Sequence, residues 1–188
     1  MSNLSMDGRA PMDPSEIAFS DLGVTYERIM ERYRLDVPGT RSPHSPLMLA
    51  QEMVGNDQWR HLVTPHLMIR TRRYKSHASL WMLLKLYPTP EAAHAAGPNG
   101  ISSVIARAHA GLENRKAQSI WALTDIWLKL GKPTLRRWEG LPDLPDCGRY
   151  VWDSFRIFAL DDLWCSPLDW ELRAYVMWRL RTHSVIEP

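Results

Sequence analysis

From Pro46 onward, apolar residues recur at intervals of three and four with polar residues between them, the spacing of a buried helical face. No segment shows the period-two alternation of a half-buried strand. Leu47 to Val54 and Trp59 to Ile69 follow the helical spacing. Thr89-Pro90-Glu91 has the order that opens a helix: a hydroxyl cap, a proline at the first helical position and an acid in the first turn. The pattern predicts further helices over 90–96, 101–108, 115–130, 149–158 and 169–181, with Ala117, Ile120, Trp121, Thr124 and Leu128 on one face of the 115–130 helix. Upstream, Ile17 to Leu35 is predicted to form a helix that docks on the main body, with Ser15 as its N-cap and Glu16 just inside it. Residues 1 to about 15 and the Pro-, Gly- and Ser-rich run from Val37 to Pro46 are predicted to be loop or partly disordered. The expected fold class is all-α with short connections and no internal repeat: an N-terminal extension over 1–40 and one domain over 41–188.

The 188 residues can bury a substantial interior, and the 45% hydrophobic share supports a globular chain. With 23 basic and 21 acidic residues the net charge is only +2, so any affinity for nucleic acid must come from where the charges sit. One cluster stands out, IRTRRYKSH, in which Arg70, Arg72, Arg73 and Lys75 surround Thr71 and Tyr74 at the end of an apolar helix. Cys147 and Cys165 are too few for a disulfide framework or a four-thiolate cluster, which suits a reduced, intracellular setting. The first residues lack the basic start and apolar core of a secretory signal. No apolar run approaches the roughly 20 residues that cross a bilayer. The expectation is a cytoplasmic, nucleoid-associated protein, or a nuclear one in a eukaryotic host, without membrane contact.

LPDCGR, at 144–149, combines a Pro that fixes one backbone angle with Gly148, which permits a tight turn and close approach. A helix opening at Arg149 exposes backbone N–H groups suited to a phosphate oxygen. Asp169 follows eleven residues after Phe158, predicted in the first turn of a helix started by Ser166 or Pro167.

The run GRYVWDSFRIF and the spacing of Pro167, Asp169, Leu172 and Tyr175 resemble the helix-hairpin-helix DNA glycosylase superfamily, the group of endonuclease III and the adenine mismatch glycosylase. Within it the chain is most similar to the thymine and uracil mismatch glycosylase domain of a methyl-CpG-binding protein. The likeness continues upstream through LMLAQEMVGNDQWRHLV, IRTRRY, YPTPEAAHAA and GLENRKAQSIW, and covers roughly residues 46 to 183.

The resemblance implies a two-lobed helical bundle carrying a helix-hairpin-helix motif, acting on double-stranded DNA as a monomer. Members flip a nucleotide out of the duplex and cleave the bond joining base to sugar. By motif position Asp169 is the carboxylate that stabilises the oxocarbenium-like sugar and directs water. Tyr150 stands where bifunctional relatives carry the lysine that cuts the strand, which implies a monofunctional enzyme excising a damaged, mismatched or modified pyrimidine. Arg70 matches the arginine that probes the duplex where the base has left, with Thr71 following in register. Arg72, Arg73 and Lys75 are expected on phosphates, together with the hairpin backbone at Cys147, Gly148 and Arg149. His66, Ile69 and Tyr150 are expected to line the base pocket. No cofactor is expected: the iron–sulfur loop of the endonuclease III branch is missing, since no Cys follows Cys165. A sodium or potassium ion on the hairpin carbonyls is compatible with the resemblance.

Four positions depart from the family pattern. Asp146 replaces the first Gly of the Gly-x-Gly hairpin and brings a Cβ and a charge to the phosphate-facing turn, unless it points away to cap the next helix. Ile69 replaces an Asn or Gln that reads the orphan strand, and Pro65 and His66 are expected to interrupt the pocket helix. Two other functions stay open: action on modified thymine in phage-type DNA hypermodification without excision, and a catalytically silent DNA-binding module.

Overall fold

The structure, a computed structural model, describes residues 45–108, 110–132 and 144–183. The expected extension over 1–40, with its helix from Ile17 to Leu35, lies outside the described residues. So do 133–143, which lead into the hairpin. Among the described residues there is no strand; a 3-10 turn at Ala50–Met53 precedes six α-helices. These are α1 (Gln58–Met68), α2 (Arg73–Leu86), α3 (Pro90–Arg107), α4 (Glu113–Lys129), α5 (Arg149–Ala159) and α6 (Trp170–His183). None is long and apolar enough to cross a membrane.

Local chemistry explains the starts of α1 and α3 directly. Asp57 caps α1 by accepting the Arg60 amide at 3.0 Å, and Thr89 caps α3 by accepting the Ala92 amide at 3.3 Å. The helices expected at 90–96 and 101–108 form the single span α3, broken inside by Gly97 at φ 67° and ψ 175°, a left-handed backbone that suits glycine. Pro65 does not interrupt α1. It sits inside the helix, whose last turn closes when the Ile69 amide donates to the Pro65 carbonyl at 3.3 Å. Helix α2 lies where the sequence pattern predicted none. Its buried face is Ser76, His77, Ser79, Leu80, Met82 and Leu83, while Leu86 at its end is exposed, so polar residues point inward and the periodicity is masked.

Two hydrophobic clusters hold the helices. The larger gathers Trp59, Leu62, Leu67, Leu83, Ile101, Ile105, Ile120 and Leu123 from α1 to α4, with Phe155 of α5 among them. The Trp59 indole donates to Thr124 Oγ1 at 3.1 Å inside it. The smaller joins Leu49 to Ile157, Phe158, Leu172, Tyr175 and Val176. Helix α5 therefore serves both clusters, Phe155 facing one and Ile157 and Phe158 the other, and the beginnings of α5 and α6 meet at the seam. The buried stripe of α4 is Ala117, Ile120, Leu123, Thr124 and Trp127, rotated from the expected face, and it also takes in Lys116 and Ser119.

Candidate active site

A cavity of about 640 Å³ opens along that seam, walled by the 3-10 turn, the end of α1, and the starts of α2, α5 and α6. Of the residues singled out from the sequence it brings together Asp169, Tyr150, Ile69, Arg70, Thr71, Arg73 and Arg149.

Asp169 is half-buried at the mouth of α6. The helix begins at Trp170, one residue after the expected span of 169–181 and not at Ser166 or Pro167, so Asp169 is its N-cap and not part of its first turn: Oδ1 accepts the amides of Glu171 and Leu172, each at 3.0 Å. The cavity has two further carboxylates, and both are neutralised within it. Asp153, buried, takes a two-oxygen contact from Arg149 Nε at 3.0 and 2.9 Å, and Glu171 pairs with Arg73. Asp169 has no ion pair among the described residues, so its charge is balanced by helix-terminal N–H groups alone.

Tyr150 stands beside it. The phenol accepts a hydrogen bond from Gln51 Nε2 at 3.2 Å, and the same amide donates to Ser154 Oγ at 3.2 Å. Burial pushes the phenol pKa up to about 12, with the negative charge of Asp169 and Glu171 adding to the shift and the Gln51 hydrogen bond opposing it. At neutral pH Tyr150 is a hydrogen-bonding phenol. Gln51, missed in the sequence, carried one signal, a polar residue within the apolar run LMLAQEMV. His77 also lines the cavity. Desolvation, helped by the Arg73 charge, lowers its pKa to about 4, so it is a neutral imidazole.

The basic cluster divides. Arg73 donates to the Leu47 carbonyl at 2.9 Å and to Glu171, tying α2 to α6 across the mouth. Arg149 reaches the Ser166 carbonyl at 2.9 Å, bracing the loop that carries Asp169. Arg72 is exposed and Lys75 half-buried, both outside the cavity. Arg70 is exposed on the rim. It occupies the third position of a turn closed by Thr71 N–H donating to the Met68 carbonyl at 3.2 Å. Ile69 at φ −55°, ψ 122° and Arg70 at φ 51° match a type II turn, with Arg where Gly is usual. The Thr71 hydroxyl faces inward, within 3.0 Å of the Ile69 carbonyl and 3.1 Å of the Ala110 carbonyl.

His66 does not reach the main cavity. It is buried on the hairpin side, with Nδ1 2.9 Å from the Leu62 carbonyl and Nε2 4.0 Å from Cys147 Sγ. Desolvation lowers its pKa, partly offset by the Leu62 and Pro145 carbonyls and the Asp146 charge. It lines a second cavity of about 190 Å³ on the far side of Arg70, with Ile69, Leu112, Lys116 and Asp146. Burial raises the Cys147 thiol to about 12, which leaves it protonated.

The hairpin works differently from what its sequence suggests. Gly148 has φ −72° and ψ −177°, extended backbone open to any residue, and a Cβ at this position would meet nothing within 4 Å. The tight geometry belongs to Asp146, at φ 53° in a turn closed by the Cys147 amide on the Leu144 carbonyl at 3.2 Å. Its carboxylate does not cap α5. It turns back to α4, accepting from Ser119 Oγ and lying 3.6 Å from Arg115, and these contacts hold its pKa below the ordinary aspartate value. The negative charge is thus paired with α4. The carbonyls of Leu144, Pro145 and Asp146 each accept a hydrogen bond inside the chain.

No protein-family model matches the chain. Among solved structures it is similar to that of a thermostable thymine-DNA glycosylase, with a TM-score of 0.53 and 19% sequence identity over 76% of this chain and 60% of that one. The chain has a DNA glycosylase-like fold. It spans about 60% of that neighbour's length, and at this identity the likeness concerns the fold.

Proposed function

We propose that the chain is a monofunctional DNA N-glycosylase that excises a thymine- or uracil-derived base flipped out of a duplex into the 640 Å³ cavity. The observation that carries this reading is Asp169: of the cavity's three carboxylates it is the one with no cationic partner among the described residues. A carboxylate held only by N–H groups keeps its charge available to a developing cation.

The base–sugar bond breaks with its electron pair leaving on the base. The sugar carbon becomes oxocarbenium-like, and Asp169 stabilises that charge. Water then adds to the carbon, giving its proton to the carboxylate, which releases it to solvent as the departed base anion takes one up, so that free base and ionised Asp169 result. Tyr150, protonated at neutral pH, offers a hydrogen bond to an oxygen of the departing base, and Gln51 holds it in place. No lysine lines the cavity among the described residues, which supports base removal without strand cleavage. The cavity lies within the roughly 300–1,000 Å³ of small-molecule sites, ample for one pyrimidine.

The test is a panel of duplexes carrying uracil, thymine mismatches, 5-hydroxymethyluracil and other modified pyrimidines, with products read by mass spectrometry. The expected result is free base and an unbroken abasic strand, with no adduct trapped by borohydride. An enlarged nucleoside, or binding without product across the panel, would overturn the proposal.

A further inference from the structure

We propose that Lys116 is a positioning residue that acts through Thr71 to hold the Arg70 turn in its DNA-contacting conformation; this rests on the glycosylase reading for the ligand alone. Lys116 lies in the first turn of α4 and is 4% exposed. Its ammonium has three donors, and the fold supplies three acceptors: the Leu67 carbonyl at 3.2 Å, the Ala110 carbonyl at 3.4 Å and Thr71 Oγ1. They come from the end of α1, the loop before α4 and the Arg70 turn. A buried ammonium is costly unless so satisfied, and a methionine would fill the space without that cost. Packing alone does not call for a charge there.

The turn needs such a hold. Arg70 at φ 51° occupies a backbone region that L-residues enter only when their surroundings force it. Besides the backbone bond closing the turn, Thr71 restrains it: its hydroxyl lies within hydrogen-bond reach of the Ile69 and Ala110 carbonyls, either of which can take its single hydrogen, and accepts from Lys116. The same end of α4 fixes the hairpin, through Ser119 and Arg115 on Asp146. Arg70, Leu112 and Asp146, all non-glycine residues with left-handed backbone, line the one 190 Å³ cavity beside the site. The start of α4 is the strut on which these loops rest, and Lys116 is its link to Arg70.

The experiment is a double-mutant cycle on Lys116→Met and Arg70→Ala, with Thr71→Val as a second break in the same link. Affinity is measured for a duplex carrying a tetrahydrofuran abasic analogue, and hydrogen exchange is followed at the Thr71 amide. The expected result is that Lys116→Met weakens binding about tenfold in the native background and less than twofold once Arg70 is alanine. Thr71→Val should behave the same way, and it carries the cycle alone if Lys116→Met does not fold. Exchange at Thr71 should rise at least tenfold while amides in the middle of α4 are unchanged. Losses that simply add, or an unchanged Thr71 amide, overturn the proposal. A native chain that binds the abasic duplex no better than an intact one refutes the glycosylase reading, and the exchange measurement, which needs no DNA, still decides the role of Lys116.

Discussion

Asp169 has two jobs that substitution can separate. As the N-cap of α6 it accepts two backbone N–H groups on one oxygen, and as the unpaired carboxylate of the cavity it is the proposed catalytic group. Asparagine ranks with aspartate as a cap, so Asp169→Asn keeps the cap and loses the charge, a loss of about 0.3–1 kcal/mol at a helix N-terminus. Asp169→Ala loses both, adding about 1 kcal/mol for the missing cap. The variants should therefore differ by about 2–4 °C in Tm, alanine lower, at the scaling for chains of about 150–250 residues. Excision should fall alike in both, by about 10²–10⁴-fold, the usual worth of a positioned acid–base group, or about 3–5 kcal/mol of barrier. Thermal melts followed by circular dichroism and single-turnover excision read the two effects separately. Equal melting temperatures would remove the side-chain cap, and Asp169→Asn turning over within tenfold of the native rate would remove Asp169 from the chemistry.

Phe155→Ala, at a fully buried position in the helix that serves both clusters, should cost about 3–5 kcal/mol, read from the urea midpoint; a loss below about 1 kcal/mol would mean the seam is not packed there. The His77 pKa is about 4 when folded against an ordinary value of 6.5, so the unfolded chain binds the extra proton between those values. Its contribution is intact above about pH 6.5 and lost as pH falls toward 4, by at most about 3 kcal/mol, and His77→Gln should flatten that part of the stability–pH curve. His66 shifts the same way, so the difference between native and variant is the quantity to measure. Gln51→Leu removes the donor to Tyr150 and Ser154 and should destabilise by about 1–3 kcal/mol while moving the Tyr150 titration still higher, since that hydrogen bond favours the phenolate; a lower spectrophotometric pKa would contradict the arrangement.

Helices with strong local signals were legible in the sequence. Thr89-Pro90-Glu91 opens α3, and α4, α5 and α6 begin within two residues of their expected starts. Helix α2 was not legible because its inward face is partly serine and histidine, and a binary pattern counts buried polar residues as surface. Lys116 is the same case: it lies four residues before Ile120 on the buried stripe of α4, but a lysine reads as solvent-facing until the carbonyls around it are known. At the hairpin, the sequence points to Gly148 for the tight turn that Asp146 makes, because a left-handed residue held by its side chain leaves no compositional mark.

Sequence alone determined the helical class, most of the helix starts and the register that sets Tyr150 and Asp169 a fixed distance apart along the chain. These follow from caps, spacing and turn residues acting within a few positions. Tertiary structure decided which charges remain available. Gln51 meets Tyr150 across 99 residues, Arg73 meets Glu171 across 98 and Lys116 meets Leu67 across 49. Side chains of the same type thereby become braces or reactive groups according to partners that only the packed fold brings within hydrogen-bond reach.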